Sequence, residues 1–230
     1  MLGLDGVEIV LGSFRLAADL SVPQGARIAV MGPSGAGKST LIGAVAGFVP
    51  LAAGAISWQG ARIDGLAPAL RPLSILFQDN NLLPHLSVFD NVALGVNPNL
   101  RLSTAQKAAV GQALVETGLS GLEARKPAQL SGGQVSRAGL ARVLLRARPM
   151  ILLDEPFSAL GPALKRQMLD LVARIADETG ATLLMITHDP EDALRLCDQT
   201  IVVAEGRAAP PAATGALLAD PPPALKAYLG

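Results

Sequence analysis

Gly32-Pro33-Ser34-Gly35-Ala36-Gly37-Lys38-Ser39-Thr40 follows the pattern G-x-x-x-x-G-K-[ST]. Glycines at that spacing let successive backbone N–H groups curl around an anion. The helix leaving such a loop adds the partial positive charge of its N-terminus. Lys38 can reach the outer phosphates of a nucleotide, and Ser39 can offer an oxygen to Mg²⁺. A second group of chemical residues ends an apolar run: Met150-Ile151-Leu152-Leu153 leads into Asp154-Glu155. A strand end beside a phosphate loop is where a Mg²⁺-binding carboxylate belongs, and Asp154 suits that role. Strand side chains alternate in direction, so Glu155 cannot duplicate it. Its carboxylate can instead polarise an attacking water as a general base.

Leu130-Ser131-Gly132-Gly133-Gln134 opens a helix a short way before the acidic strand. It presents a hydroxyl, backbone N–H groups and a helix N-terminus, which together make a second anion site. The chain thus carries two phosphate-binding surfaces and one phosphate loop.

These residues need a scaffold, and strand-like and helix-like stretches alternate along the chain as in a parallel sheet covered by helices. Short continuous apolar runs predict buried parallel strands at Arg27–Met31, Leu73–Phe77, Met150–Leu153, Thr182–Ile186 and Gln199–Ala204. Val7–Leu11 and Phe14–Val22 read as an antiparallel addition, and Ala55–Trp58 as a further strand. No strong strand signal lies between Asn81 and Arg148, where Thr104–Gly118 and Gly132–Ala147 have helical spacing and Ser103 suits an N-cap. The expected class is α/β: a mostly parallel sheet with helices on both faces, an N-terminal antiparallel β addition and an inserted helical subdomain. Residues 1–230 read as one domain, with the α/β core at about 1–80 and 148–230 and the helical subdomain at about 81–147. The Pro/Ala-rich tail from Pro210 reads as a surface segment with a short amphipathic end at Ala224–Leu229.

Composition narrows the classes. Of 230 residues, 50% are hydrophobic and 17% charged, which excludes a disordered chain. Nineteen Lys and Arg balance nineteen Asp and Glu, which argues against a nucleic-acid binder working by bulk charge. The longest charge-free stretch, Ser39–Ala61, contains Pro50 near its middle and several glycines, so it reads as helix, turn and strand rather than a membrane span. No signal peptide is visible at Met1-Leu2-Gly3-Leu4-Asp5, and the single cysteine, Cys197, reads as a small core residue in a reducing compartment.

With its phosphate loop, acidic strand and LSGGQ helix, the chain resembles the ATP-binding subunits of ABC transporters, and its other motifs match in order. Phe77-Gln78 is similar to the family's Q-loop, and Ile186-Thr187-His188-Asp189 to its switch-histidine segment. The resemblance implies a P-loop ATPase core, ATP and Mg²⁺ as ligands, and a head-to-tail homodimer around two ATP. In that arrangement Ser131 and Gly133 of one chain cap the γ-phosphate bound by the other. Glu155, His188 and Gln78 are the implied catalytic group, with Ser39, Gln78 and Asp154 around Mg²⁺. Integral-membrane permease subunits are the implied partners, with a solute-binding protein acting indirectly and the ATPase lying at the cytoplasmic face of the membrane.

Four positions depart from the family pattern. Leu11 stands where an aromatic residue usually stacks on adenine, with Phe14 nearby. Gly161 ends Ser158-Ala159-Leu160-Gly161, where the family has S-A-L-D with a carboxylate that links the two sites. Val135-Ser136 replace common polar residues after the signature, although Arg137 is kept. Asp154, Glu155 and His188 are intact, so an active ATPase is expected. The segments Leu76–Val88 and Ala93–Leu100, on the side facing the permease, resemble those of thiamine importers. Iron, polyamines or anions are the alternative cargoes, and a non-transport ABC ATPase the more distant reading. His85 reads as a surface or partner-contacting residue.

Overall fold

The computed structural model describes residues 1–79 and 82–229. The strands are β1 (Leu2–Leu11), β2 (Phe14–Val22), β3 (Arg27–Met31), β4 (Ala53–Trp58), β5 (Ala61–Arg62), β6 (Leu73–Leu76), β7 (Met150–Asp154), β8 (Thr182–Ile186), β9 (Gln199–Ala204), β10 (Arg207–Ala208) and β11 (Ala212–Ala213). The α-helices are α1 (Lys38–Ala46), α2 (Val88–Ala93), α3 (Thr104–Glu116), α4 (Gly132–Leu145), α5 (Pro162–Thr179), α6 (Pro190–Leu196), α7 (Thr214–Ala219) and α8 (Pro223–Leu229).

The sheet runs β5-β4-β1-β2-β10-β9-β3-β8-β7-β6, with β11 on β9. β9, β3, β8, β7 and β6 are mutually parallel, whereas β2, β1, β4 and β5 pair antiparallel. Burial on both sides explains the apolar runs of the parallel strands. Ile28 and Val30 of β3 join Leu152, Leu184 and Ile186 in one core, with Leu41, Ile42 and Val45 of α1. Ala29 and Met31 join Leu153, Leu183 and Met185 in the other, with Leu140 of α4, Met168, Leu169 and Val172 of α5 and Leu196 of α6. Each such buried Leu, Ile or Val contributes on the order of 1.5–3 kcal/mol. A third core, around Val88, Val92, Val110, Leu114 and Ala138, binds α2, α3 and α4 to one another.

The sequence reading needs several corrections. β1 begins at Leu2, not Val7, because a register shift between Leu4 and Val7, with Gly6 at φ 55°, interrupts the alternation that would have announced the earlier half. β4 likewise begins at Ala53. β6 stops at Leu76, so Phe77 and Gln78 lie just past the strand end. The tail is not merely a surface segment. Pro223 opens α8, where a missing N–H costs nothing, and that helix buries Leu225 completely while Tyr228 packs against the second core.

Candidate functional site

The phosphate loop joins the C-terminal end of β3 to α1, between two parallel neighbours. Ligands of α/β sheets bind at such carboxyl-terminal edges. Gly32 must be glycine: it has φ 146°, and a Cβ there would stand 2.0 Å from the Val203 carbonyl oxygen. Gly37, the N-cap of α1 at φ 101°, leaves room for the Phe14 ring, which would lie 2.5 Å from an added Cβ. Phe14 therefore packs on the loop itself, and Leu11 at the end of β1 stays exposed.

Lys38 is 9% exposed, and its ammonium donates to the carbonyls of Gly32 and Pro33, both at 2.8 Å. Burial lowers its pKa, while the nearby carboxylates of Glu155 and Asp154 raise it. Of the loop residues, Ser34, Gly35 and Ser39 are exposed, Pro33, Ala36, Gly37 and Thr40 half-buried, and Gly32 buried. The Ser39 hydroxyl lies close enough to the Asp154 carboxyl to favour its ionised form. Asp154, the last residue of β7, is 6% exposed, and burial pushes its pKa up. A hydroxyl and a carboxylate so placed are hard oxygen donors, and their number leaves room for water and phosphate. That donor chemistry fits Mg²⁺. Among the described residues there is no cluster of three or more His, Cys, Asp or Glu side chains able to hold a metal alone.

Glu155 leaves the strand with φ 46°, in the left-handed region. For a non-glycine residue this costs roughly 1–2 kcal/mol. Its N–H donates to the Ile186 carbonyl, tying the turn to the end of β8. His188, just beyond β8 and exposed, brings Nδ1 to 3.6 Å from Glu155 Oε2. Gln78, exposed beyond β6, stands at the edge of the same parallel sheet. The strand ends thus gather Lys38, Asp154, Glu155 and His188.

The segment 130–134 forms a separate surface at the start of α4. Leu130 precedes the helix and Ser131 is its N-cap. The Ser131 hydroxyl accepts from Gln134 N–H at 3.3 Å, and the Gln134 side-chain oxygen accepts from Ser131 N–H at 2.9 Å. This reciprocal capping box leaves Ser131 and Gly132 exposed, with Gly133 half-buried against Ala159 and Leu160. Arg137 binds α4 to the end of α3 by donating to the carbonyls of Thr117 and Gly118 at 2.8 and 2.7 Å.

Three residues around the site escaped the sequence reading. Arg71, 3% exposed, donates to the Ala44 and Val45 carbonyls, both at 2.7 Å, and so caps the end of the helix that Lys38 begins. Its partners lie 27 and 26 residues away, beyond the reach of any local pattern. Lys165 binds Asp189 and Asp192 beside His188. Tyr228 lies over Lys38; being the only tyrosine in the chain, it offered a hint but no spacing to read. Cys197 is buried, and burial pushes its thiol up to about 12, which suits a core residue.

Known proteins resemble this chain along most or all of its length. A family profile described as ABC transporter matches residues 17–158. The chain is 59% identical over 230 residues, covering 100% of both chains, to a protein of Cereibacter sphaeroides named thiamine import ATP-binding protein ThiQ. Proteins of that name from a Ruegeria species and from Brucella suis are 55% and 48% identical, with 100% and 99% of this chain and 100% and 95% of theirs covered. A solved dimeric ATP-binding cassette in a post-hydrolysis state, bound to ADP and Pi, superposes with a TM-score of 0.83 at 26% identity, covering 93% of this chain and 99% of that one. A second dimeric structure, of a bacterial ABC transporter cassette, gives 0.84 at 26% identity, with the same coverage.

Proposed function

Because the chain belongs to the ABC transporter family, we propose that its two anion surfaces work in trans, in a homodimer that hydrolyses ATP to drive thiamine import through a membrane permease. The protein is an ATP-binding importer subunit and an ATPase. Its cargo follows from full-length identity to proteins named for thiamine import. The observation that carries the mechanism is the 3.6 Å approach of His188 to Glu155 at the mouth of the phosphate loop.

In this reading residues 32–40 cradle the phosphates and Lys38 neutralises the outer ones. Ser131 and Gly133 of a second copy cap the γ-phosphate, with Leu130, Gly132 and Gln134 shaping that helix start. Glu155 takes the proton of the attacking water as it adds to the γ-phosphorus and ADP leaves. His188 contacts the γ-phosphate and fixes the Glu155 side chain. Ser39, Asp154 and Gln78 would hold Mg²⁺, which when bound would supply charge to offset that of the phosphates.

No helix among the described residues is long and apolar enough to cross a membrane. The ATPase is peripheral, at the cytoplasmic face. The permease docks in a cavity of about 540 Å³ whose walls include Phe48, Phe77, Leu94, Arg142 and Arg146. Phe48 and Phe77 meet edge to face at 5.1 Å there, and Ser74 Oγ is buried without a hydrogen-bond partner. Through Phe77 this cavity reaches the residue next to Gln78, which gives the catalytic site a route to the permease.

The decisive test is thiamine uptake by cells lacking this chain. Uptake returns with the wild type and not with Lys38→Ala or Glu155→Gln. Normal uptake without the chain removes the cargo; full ATP turnover by purified Glu155→Gln removes the base.

A further inference from the structure

We infer that Lys165 is a positioning residue for His188, linking it to the surface formed by residues 130–134 of the same chain. This rests on the catalytic reading of His188 and Glu155 above. The Lys165 ammonium bridges Asp189 at 2.5 Å and Asp192 at 2.9 Å. Asp189 follows His188 and is the N-cap of α6, accepting from Glu191 N–H at 2.9 Å. Thr187, which precedes His188, is drawn into the same network. Its hydroxyl accepts from Asp189 N–H at 3.1 Å and donates to Asp192 at 3.4 Å. Both chain neighbours of His188 are therefore fixed through one ammonium, while the histidine side chain itself stays exposed.

The other end of the link is the first turn of α5. Lys165 N–H donates to the Gly161 carbonyl at 2.9 Å, closing the turn that begins at residue 161. Ala159 and Leu160, just before it, pack on the helix start at Gly133. A Cβ at Gly133 would stand 3.0 Å from Leu160 Cδ2 and 3.3 Å from the Ala159 carbonyl oxygen. The contacts thus run continuously from Gly133 through residues 159–161 to Lys165, and from there to both sides of His188. Gly161 has no carboxylate to join two sites, so this link within one chain supplies a connection the loop lacks.

The pairs are only partly exposed, with side-chain accessibilities of 22% for Lys165, 29% for Asp189 and 8% for Asp192. Burial pulls the Lys165 pKa down, but hydrogen bonds to Asp189 and Asp192 raise it overall. Lys165 thus stays charged and paired.

The test is steady-state ATPase kinetics of Lys165→Met, Lys165→Arg, Asp189→Asn and the Lys165→Met/Asp189→Asn double variant, with Glu155→Gln alongside. Lys165→Met is expected to lower kcat roughly ten-fold or more while the KM for ATP moves less than about two-fold, because positioning is lost but the phosphate loop is intact. Lys165→Arg should restore most of the rate, and the double variant should be no slower than the slower single one. Wild-type kcat in folded Lys165→Met, checked by circular dichroism, overturns the inference. So does an equal loss in Lys165→Arg. Either result leaves the base reading to stand or fall on Glu155→Gln. If Lys165→Met does not fold, the Asp189→Asn and Lys165→Arg kinetics decide: wild-type kcat in Asp189→Asn refutes the link.

Discussion

The ring of Tyr228 lies over the Lys38 ammonium, 5.8 Å from it, so the last helix of the chain reaches the phosphate site from the far end of the sequence. A lysine over an aromatic face gains about 0.5–2 kcal/mol, depending on how dry the contact is. A bound phosphate draws on the same charge. Tyr228→Ala is expected to tighten ATP binding about two- to five-fold, as that contact no longer competes. Tyr228→Phe, which keeps the ring, should bind like the wild type. Titration with a fluorescent ATP analogue measures both, and weaker binding by Tyr228→Ala shows that the ring supports the nucleotide instead.

Asp154 gives the site a pH dependence with a defined direction. Burial raises its pKa, against the effect of the Ser39 hydroxyl; Glu155 adds to the rise and Lys38 opposes it. Between the ordinary carboxylate value, about 3.9, and the raised one, the folded chain keeps a proton that the unfolded chain has released. Stability therefore falls as pH rises through that window and stays lower above it. Asp154→Asn should raise the Tm of the nucleotide-free protein at pH 7 by about 2–4 °C for each kcal/mol relieved. The gain should shrink as pH falls through that window and vanish well below about 3.9, where both states hold the proton. Mg²⁺-dependent hydrolysis should be lost throughout. Calorimetry across pH checks the first part, and an unchanged Tm at pH 7 contradicts it.

What could be read in advance follows the range of the interactions. The phosphate loop, the acidic strand and the start of α4 are local devices, with glycines, caps and apolar runs within a few residues, so each was legible from spacing. Ser103 and Ser131 show this well: each opens a capping box with the glutamine three residues on. The order of the strands could not be read, because β3 pairs with β8 and β9 across more than 150 residues. Arg71, Lys165 and Tyr228 act through partners on other elements, and no periodicity announces them. The first half of β1 was hidden by its register shift, whereas the amphipathic end read at Ala224–Leu229 is α8, and only its burial of Leu225 in the core went unread.

Gly161 can be tested by giving back what the family pattern has. It is the N-cap of α5 with φ −71° and ψ 159°, ordinary extended backbone, and a Cβ there meets nothing within 4 Å. Aspartate therefore fits without strain and can accept from the free N–H groups of the first turn. Gly161→Asp should stabilise the fold by a few tenths of a kcal/mol, read as a higher denaturant midpoint at unchanged slope. If that carboxylate also reaches across the dimer, the variant's ATPase should rise more steeply with ATP concentration than the wild type's. A gain in stability with an unchanged ATP response would confine the residue to capping.

Leu11 tests the adenine contact. It ends β1 at 43% exposure and pairs with Phe14 across the turn, while the Phe14 ring is committed to Gly37. That leaves an apolar contact for the base but no aromatic face. Stacking a base on an aromatic ring is worth about 1–3 kcal/mol relative to alanine, and leucine already supplies part of the apolar share. Leu11→Tyr should thus lower the Kd for ATP by about three- to ten-fold. Affinity for tripolyphosphate, which has no base, should stay the same. Isothermal titration with both ligands separates the effects. Equal tightening toward the two would mean that the tyrosine acts on the loop through Phe14, and the adenine would have to lie elsewhere.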